Sequence, residues 1–306
     1  MPVAGTFARS RSVWALVLIP GLWLVVLFLV PCLIILKISL SQTALAQPPY
    51  TPVFDWTGGW AGLKTFLSGL SVSNYVALAN DTLYIASYLK SLQIAALATL
   101  MLLLIGYPIA YGIAQTKGRA QAFLVLLVIL PFWTSFLIRI YAWITILQHD
   151  GLLNRALIGL RLIDAPVSWL ASDTAIYIGL VYSYLPFMVL PLYATLQKLD
   201  PTLLEAAADL GARRWKAFWS ITLPLSLPGA AAGALLCFIP IVGEFVVPDL
   251  LGGSETMMIG QTLWLEFFAN RDWPIASAIA VVLLCLLVGP IALFDNLRAR
   301  QLRSRS

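Results

Sequence analysis

The sequence predicts an all-α membrane protein of six spanning helices, and three observations carry that prediction. The 306 residues are 60% hydrophobic and only 11% charged, with a mean hydropathy of +0.89. Soluble domains hold about half apolar and about a quarter charged residues, so a single core could not hide this much apolar surface. Six apolar runs of bilayer-crossing length, roughly 20 residues, punctuate the chain, and Lys and Arg cluster at alternate ends of them.

The spans are read at Val13–Ile38, Ser91–Ala114, Ala122–Leu147, Thr174–Gln197, Leu227–Val247 and Ile275–Leu297. Together they form one transmembrane domain over residues 1–306, with no internal repeat of fixed period. The first run follows Arg9 and Arg11 and exceeds the apolar length of a signal peptide. No small-residue cleavage site follows closely, so it reads as an uncleaved first helix. The stretch from Ser39 to Lys90 carries Pro48-Pro49, Gly58-Gly59, Trp56 and Trp60. It is too polar to span and too aromatic for a simple tether, and short interfacial helices are expected there.

Charge sets the orientation. With a cytoplasmic N-terminus, the inner segments hold Arg9, Arg11, Lys117, Arg119, Lys198, Arg213, Arg214, Lys216, Arg298, Arg300, Arg303 and Arg305, twelve of the 19 Lys and Arg residues. The positive-inside rule then places both termini in the cytoplasm. These clusters hold the chain at the membrane surface and do not describe a nucleic-acid site. Nine of the 14 acidic residues fall outside: Asp55, Asp81, Asp150, Asp164, Asp173, Asp249, Glu255, Glu266 and Asp272. An anionic outer vestibule would concentrate a cationic solute; a solvated loop surface accounts for the same charges.

Cys32, Cys237 and Cys285 all sit in apolar runs, without the spacing of disulfides or a metal site, and His149 is the only histidine. No G-x-x-x-x-G-K-[ST] loop is present, so the chain is no ATPase, and H-E-x-x-H and G-x-S-x-G are missing, which removes the common hydrolase patterns. A self-contained secondary transporter would call for inverted repeats and coupling carboxylates inside the spans.

Between the fourth and fifth spans, residues 200–224 form the most informative segment. Asp200 offers an N-cap acceptor and Pro201 a preset first turn. Ala206 to Ala208 favour helix and keep its surface thin. Gly211 can end that helix in a left-handed conformation. A second short helix is expected over Ala212–Ser220, carrying Trp215, Phe218 and Trp219, with Pro224 and Pro228 at the entry to span five.

Glu205-Ala206-Ala207, Gly211, Ile221 and Leu223-Pro224 match every defined position of the EAA motif, in the loop where it belongs. The chain thereby resembles the permease subunits of binding-protein-dependent ABC importers. That resemblance implies the type I ABC importer permease fold, with this loop as the cytoplasmic coupling helix and Glu205, Ala206, Ala207 and Gly211 as its ATPase-coupling residues. It also implies two copies of an ABC ATPase subunit, a second homologous permease, a periplasmic binding protein and alternating access. ATP and Mg would lie on the partner ATPases, with no cofactor or metal on this chain. Ser135–Trp143, Leu185–Tyr193, Gly243–Gly253 and Asn270–Pro274 resemble polyamine importer permeases, and Glu244 resembles the putrescine type more than the spermidine type. Another small cationic or organic solute is the alternative.

Two charges fall inside predicted spans and are functional candidates for that reason, Arg139 in span three and Glu244 in span five. In one reading Glu244, with Asp249 nearby, attracts polyamine ammonium groups, while Phe245, Trp264, Trp133, Tyr182 or Tyr184 supply aromatic faces. In the other, Glu244 neutralises Arg139 as a structural ion pair. A mixture, in which substrate displaces Arg139, stands beside them. Pro108, Pro131, Pro186, Pro191, Pro240 and Pro290 predict kinks within the spans.

Overall fold

The computed structural model describes the backbone of residues 11–53, 59–253 and 256–303 and the side chains of 17–53, 59–253 and 256–289. Arg9, Asp55, Trp56, Gly58, Glu255 and Arg305 lie outside the described residues, as do the side chains of Arg11, Pro290, Arg298, Arg300 and Arg303.

Each predicted span falls on helix. The first comprises α1 (Arg11–Leu24), a π-helical turn at Val25–Leu29 and α2 (Val30–Ser39). A short antiparallel hairpin follows, β1 (Gln42–Thr43) with β2 (Tyr50–Thr51), then α3 (Gly59–Ser68) and α4 (Ser73–Asn80). The outer stretch thus holds the short helices expected, and a hairpin that was not. Span two is α5 (Thr82–Gln115), which starts nine residues before the predicted boundary. Lys90, read as a loop residue, therefore sits within α5 and pairs with Asp173 at 2.7 Å.

Span three is not one straight helix. It consists of α6 (Gly118–Ile129), a 3₁₀ turn at Leu130–Trp133 and α7 (Phe136–Leu147), bent by 91°. Pro131 cannot donate the next helical hydrogen bond, and Thr134 and Ser135 then leave the helical region altogether, with ψ of 151° and 140°. After α8 (Leu152–Gly159), span four is α9 (Asp173–Leu196), started by the Ser172 hydroxyl accepting from the Ala175 N–H. Next come α10 (Thr202–Asp209), α11 (Arg214–Ala217), a π-helical turn at Phe218–Thr222 and α12 (Leu223–Val242). The second short helix expected at Ala212–Ser220 has no end of its own. Helix is continuous from Arg214 to Val242, and the π turn falls where Pro224 lacks an N–H for the carbonyl four residues back. The last elements are α13 (Val246–Leu251), α14 (Ile259–Trp264), a π-helical turn at Leu265–Ala269 and α15 (Trp273–Arg303), on which the predicted sixth span falls.

The chain divides into two compact units, one of residues 1–81 and 263–306, the other of 82–262. In the first, α15 packs against α2 and α4. The Asp272 carboxylate accepts from the Thr43 hydroxyl at 2.8 Å and from the Ile275 N–H at 3.1 Å, which caps α15 and ties it to the hairpin. Trp273 stacks on Phe267 and meets Tyr50. Asn74 donates to the Ser39 and Ser41 carbonyls and so closes the end of α2.

The second unit is built on α5, α9 and α12, which pack against one another. Lipid gives helices no hydrophobic drive to associate, so close contact through small residues must do so. Gly229 and Gly233, one turn apart on α12, supply it. A Cβ on Gly229 would strike Thr195 and come within 3.0 Å of the Pro191 carbonyl oxygen; one on Gly233 would lie 2.9 Å from the Met188 sulfur. A Cβ on Gly106 of α5 would lie 2.9 Å from the Met188 Cγ as well. The hydroxyls of Tyr107 and Ser226 join α5 to α12 at 2.7 Å.

Gly229→Ala is expected to lower the thermal midpoint of the detergent-purified protein, by an overpacking cost of about 1–3 kcal/mol. Gly112→Ala, where an added Cβ meets nothing within 4 Å, is expected to leave it unchanged or raise it. Equal midpoints for the two variants would contradict this packing.

Candidate functional site

The segment over residues 200–224 forms as its sequence dictates. The Asp200 carboxylate accepts the Thr202 N–H at 3.0 Å. Hydrogen bonds from Thr202, its backbone N–H first, hold the Asp200 carboxyl below its ordinary range. The cap therefore persists at neutral pH and is lost only as pH falls through that lowered value. At the other end Gly211 adopts φ +78°, the Gly211 N–H bonds the Ala208 carbonyl, and the Ala212 N–H bonds the Ala207 carbonyl. This is a Schellman closure, which requires the left-handed residue that glycine provides. Glu205, Ala206 and Gly211 are exposed, whereas Ala207 turns inward and is buried. Only part of the predicted thin surface therefore faces outward. Leu203, Leu210, Trp215 and Trp219 are exposed beside it. Phe218 points the other way, edge-on to Tyr107 and Tyr111 at 5.6 Å.

At the far end of the 29-residue helix that begins at Arg214, the chain unwinds at Gly243. Such a helix is about 43 Å long, more than the roughly 30 Å of a hydrocarbon core. Glu244 thus lies just past the end of that helix, at the unwound turn. The predicted boundary at Val247 ran too far because Phe245, Val246 and Val247 continue the apolar run while Gly243 ends the helix. Glu244 Oε1 accepts the N–H groups of Phe245 and Val246, at 3.2 and 3.0 Å, which caps α13. Its Oε2 accepts the Tyr184 hydroxyl of α9 at 2.6 Å.

Tyr184 begins a row of rings. It lies 6.0 Å from Phe187, which meets Phe132 edge-on at 5.1 Å. The Arg139 guanidinium sits over Phe132 at 5.5 Å and over Phe136 at 5.7 Å. Arg139 is buried, with 8% of its surface exposed, and its Nε and Nη1 have no hydrogen-bond partner. Among the described residues no carboxylate lies within 4 Å of it. The ion pair between Arg139 and Glu244 is therefore not made, and Arg139 lies on α7, beyond the break, not inside a straight spanning helix. Both charges read as intramembrane occupy breaks in their spans. Unwound backbone at such depth is tolerated where it is buried in protein or lines a cavity.

The other predicted residues are placed apart. Asp249 is exposed and accepts from Gln261 at 3.0 Å. Phe245 is partly exposed at the unwound turn, and Trp133 is exposed in the 3₁₀ turn. Tyr182 meets Trp143 at 5.4 Å and lines an apolar cavity of about 430 Å³ with Pro108, Pro131 and Pro186, where no carboxylate faces it. Trp264 belongs to the other unit and packs on Phe268. Phe187 and Phe132 were missed as members of the row. Phe187 stands three residues after Tyr184, on the same helix face, which is a signal the sequence carries.

Residues 103–300 match the family described as the binding-protein-dependent transport system inner membrane component. The chain is 38% identical to the spermidine/putrescine transport system permease protein PotB of Haemophilus influenzae, over 92% of both chains. It is 44% identical to PotB of Escherichia coli K12, over 70% of this chain and 77% of that one. These relatives carry the joint spermidine/putrescine name, not the putrescine type that Glu244 suggested. A bacterial alginate ABC transporter crystallised with an alginate-bound periplasmic protein holds a chain of the same fold. Its TM-score is 0.71 at 18% identity, over 95% of this chain and 94% of that one. The chain belongs to the family of inner-membrane permease components of binding-protein-dependent transport systems.

Proposed function

We propose that this chain is one of two permease subunits of an ATP-driven importer that moves polyamines, putrescine or spermidine, from periplasm to cytoplasm by alternating access. The observation that carries the substrate class is the Glu244 carboxylate at an unwound turn, joined to the Tyr184–Phe187–Phe132 row. A carboxylate takes an ammonium group, and ring faces take both the methylenes and the cation. The names of the permease relatives agree with that chemistry.

Energy enters at the other end of the same helix. The α10–Gly211–α11 segment, with Glu205 and Ala206 outward, docks on an ABC ATPase, and two such ATPases serve the permease pair. Twelve Lys and Arg residues keep this side and both termini in the cytoplasm. A periplasmic binding protein delivers the solute to the opposite side. Since α11, the π turn and α12 are one continuous helix, movement at the ATPase face is transmitted directly to the turn that holds Glu244.

Gly211→Val is expected to release the ATPase subunits or to leave ATP hydrolysis running without uptake, because a β-branched residue is strained by about 1–2 kcal/mol in the left-handed region. Gly211→Asn, which tolerates that region, should retain coupling. Co-purification and a paired hydrolysis–uptake assay read the outcome, and unchanged assembly and uptake in Gly211→Val would defeat the docking claim. Glu244→Gln is expected to lower the initial rate of putrescine uptake by the reconstituted complex about tenfold or more, in keeping with loss of a charged hydrogen bond. Normal uptake by that variant would remove Glu244 from the pathway.

A further inference from the structure

Arg139 and Glu244 are each left with an uncancelled charge. Glu244 is bonded only to neutral donors, the Tyr184 hydroxyl and two backbone N–H groups. Arg139 rests on two ring faces, while Nε and Nη1 are sealed from outside and lack an acceptor. Ring faces return less than the desolvation of a guanidinium costs, so a buried cation in this condition calls for an anion in another conformation. An acceptor is at hand within the same unit: α7, which carries Arg139, packs against α13, whose first N–H groups Glu244 caps. Gly243 and Glu244 belong to no helix, so a turn there breaks no helical ladder.

We propose that Arg139 is the resident cation of the Glu244 site: the guanidinium takes the carboxylate when no substrate ammonium holds it, and this structure has the two apart. The proposal rests on the polyamine reading of Glu244. Substrate arriving at the carboxylate keeps Arg139 on Phe132 and Phe136. When the turn at Gly243 moves during the cycle, Arg139 competes for Glu244 and expels the ammonium toward the exit. Release is thereby assisted by exchange of one cation for another, with no net charge left stranded. Asp249, the carboxylate on α13 itself, is exposed and held by Gln261, and plays no part in the exchange.

The test uses the full complex, both permeases with the ATPase subunits, and labelled putrescine. Arg139→Gln is expected to bind putrescine about fivefold tighter at equilibrium, in the absence of binding protein, and to lose maximal ATP-driven uptake by a similar factor. Arg139→Lys keeps a cation and should restore both quantities, and Asp249→Asn should leave both as in the wild type. Unchanged binding and uptake in Arg139→Gln overturn the proposal, as does a failure of that variant to co-purify with the ATPases, which would make Arg139 a static structural charge. Lysine behaving like glutamine overturns it too. Normal putrescine uptake by Glu244→Gln is a separate failure, because it removes the reading on which the exchange rests.

Discussion

Met188 sits where three helices come too close for any residue larger than glycine to face it. Gly106 of α5 and Gly233 of α12 both press on it, and Gly229 brings the next turn of α12 onto Pro191 and Thr195 of α9. In lipid this contact replaces the hydrophobic collapse that assembles a soluble core. It also sets the register of everything above it. Tyr184 lies one turn before Met188 on α9, and Cys237 lies one turn after Gly233 on α12, where its thiol meets the Tyr184 carbonyl at 3.6 Å. The Tyr184 hydroxyl is thereby held at the height where α12 unwinds and Glu244 turns back.

The chemistry is concentrated at departures from helix. Arg139 follows the 91° break in the third span, and Glu244 follows the end of the fifth. Backbone at these points is free of the helical ladder, so it can turn without breaking a row of hydrogen bonds. Rigid helices with a few unwound points suit a carrier that exposes one site to two sides in turn. The long helix from Arg214 links one of those points to the segment of the EAA motif, so the proposed docking segment and the Glu244 turn lie on one continuous element.

Much of this was legible in the residues. Apolar run length located helices: each predicted span falls on helical segments, and among the described residues four are long and apolar enough to cross a membrane, or five with the bent pair counted as one. Asp200 and Gly211 announced the ends of α10, since a carboxylate before the first turn and a glycine after the last have few other uses. Other features stood in the residues and were not read. The Gly-Ala-Ala-Ala-Gly stretch at 229–233 is a close-packing pattern in plain sight. Gly243 marked the true end of span five, although the apolar residues after it masked that end. Pro131 announced a break in the third span but not its 91° size, and the pairing of Tyr184 with Glu244 was not legible, because it depends on which residues meet across separate helices. The hairpin at Gln42–Thr51 was hidden for the same reason, being held by Asp272 and Trp273 from the far end of the chain.

One measurement bears most directly on the account: uptake of labelled putrescine and spermidine into proteoliposomes holding the chain with its second permease and ATPases. Binding protein is supplied outside and ATP inside. Uptake that requires ATP and the binding protein, and that persists when ion gradients are collapsed, is the predicted result. Uptake driven by an ion gradient through this chain alone, indifferent to ATP, would contradict it.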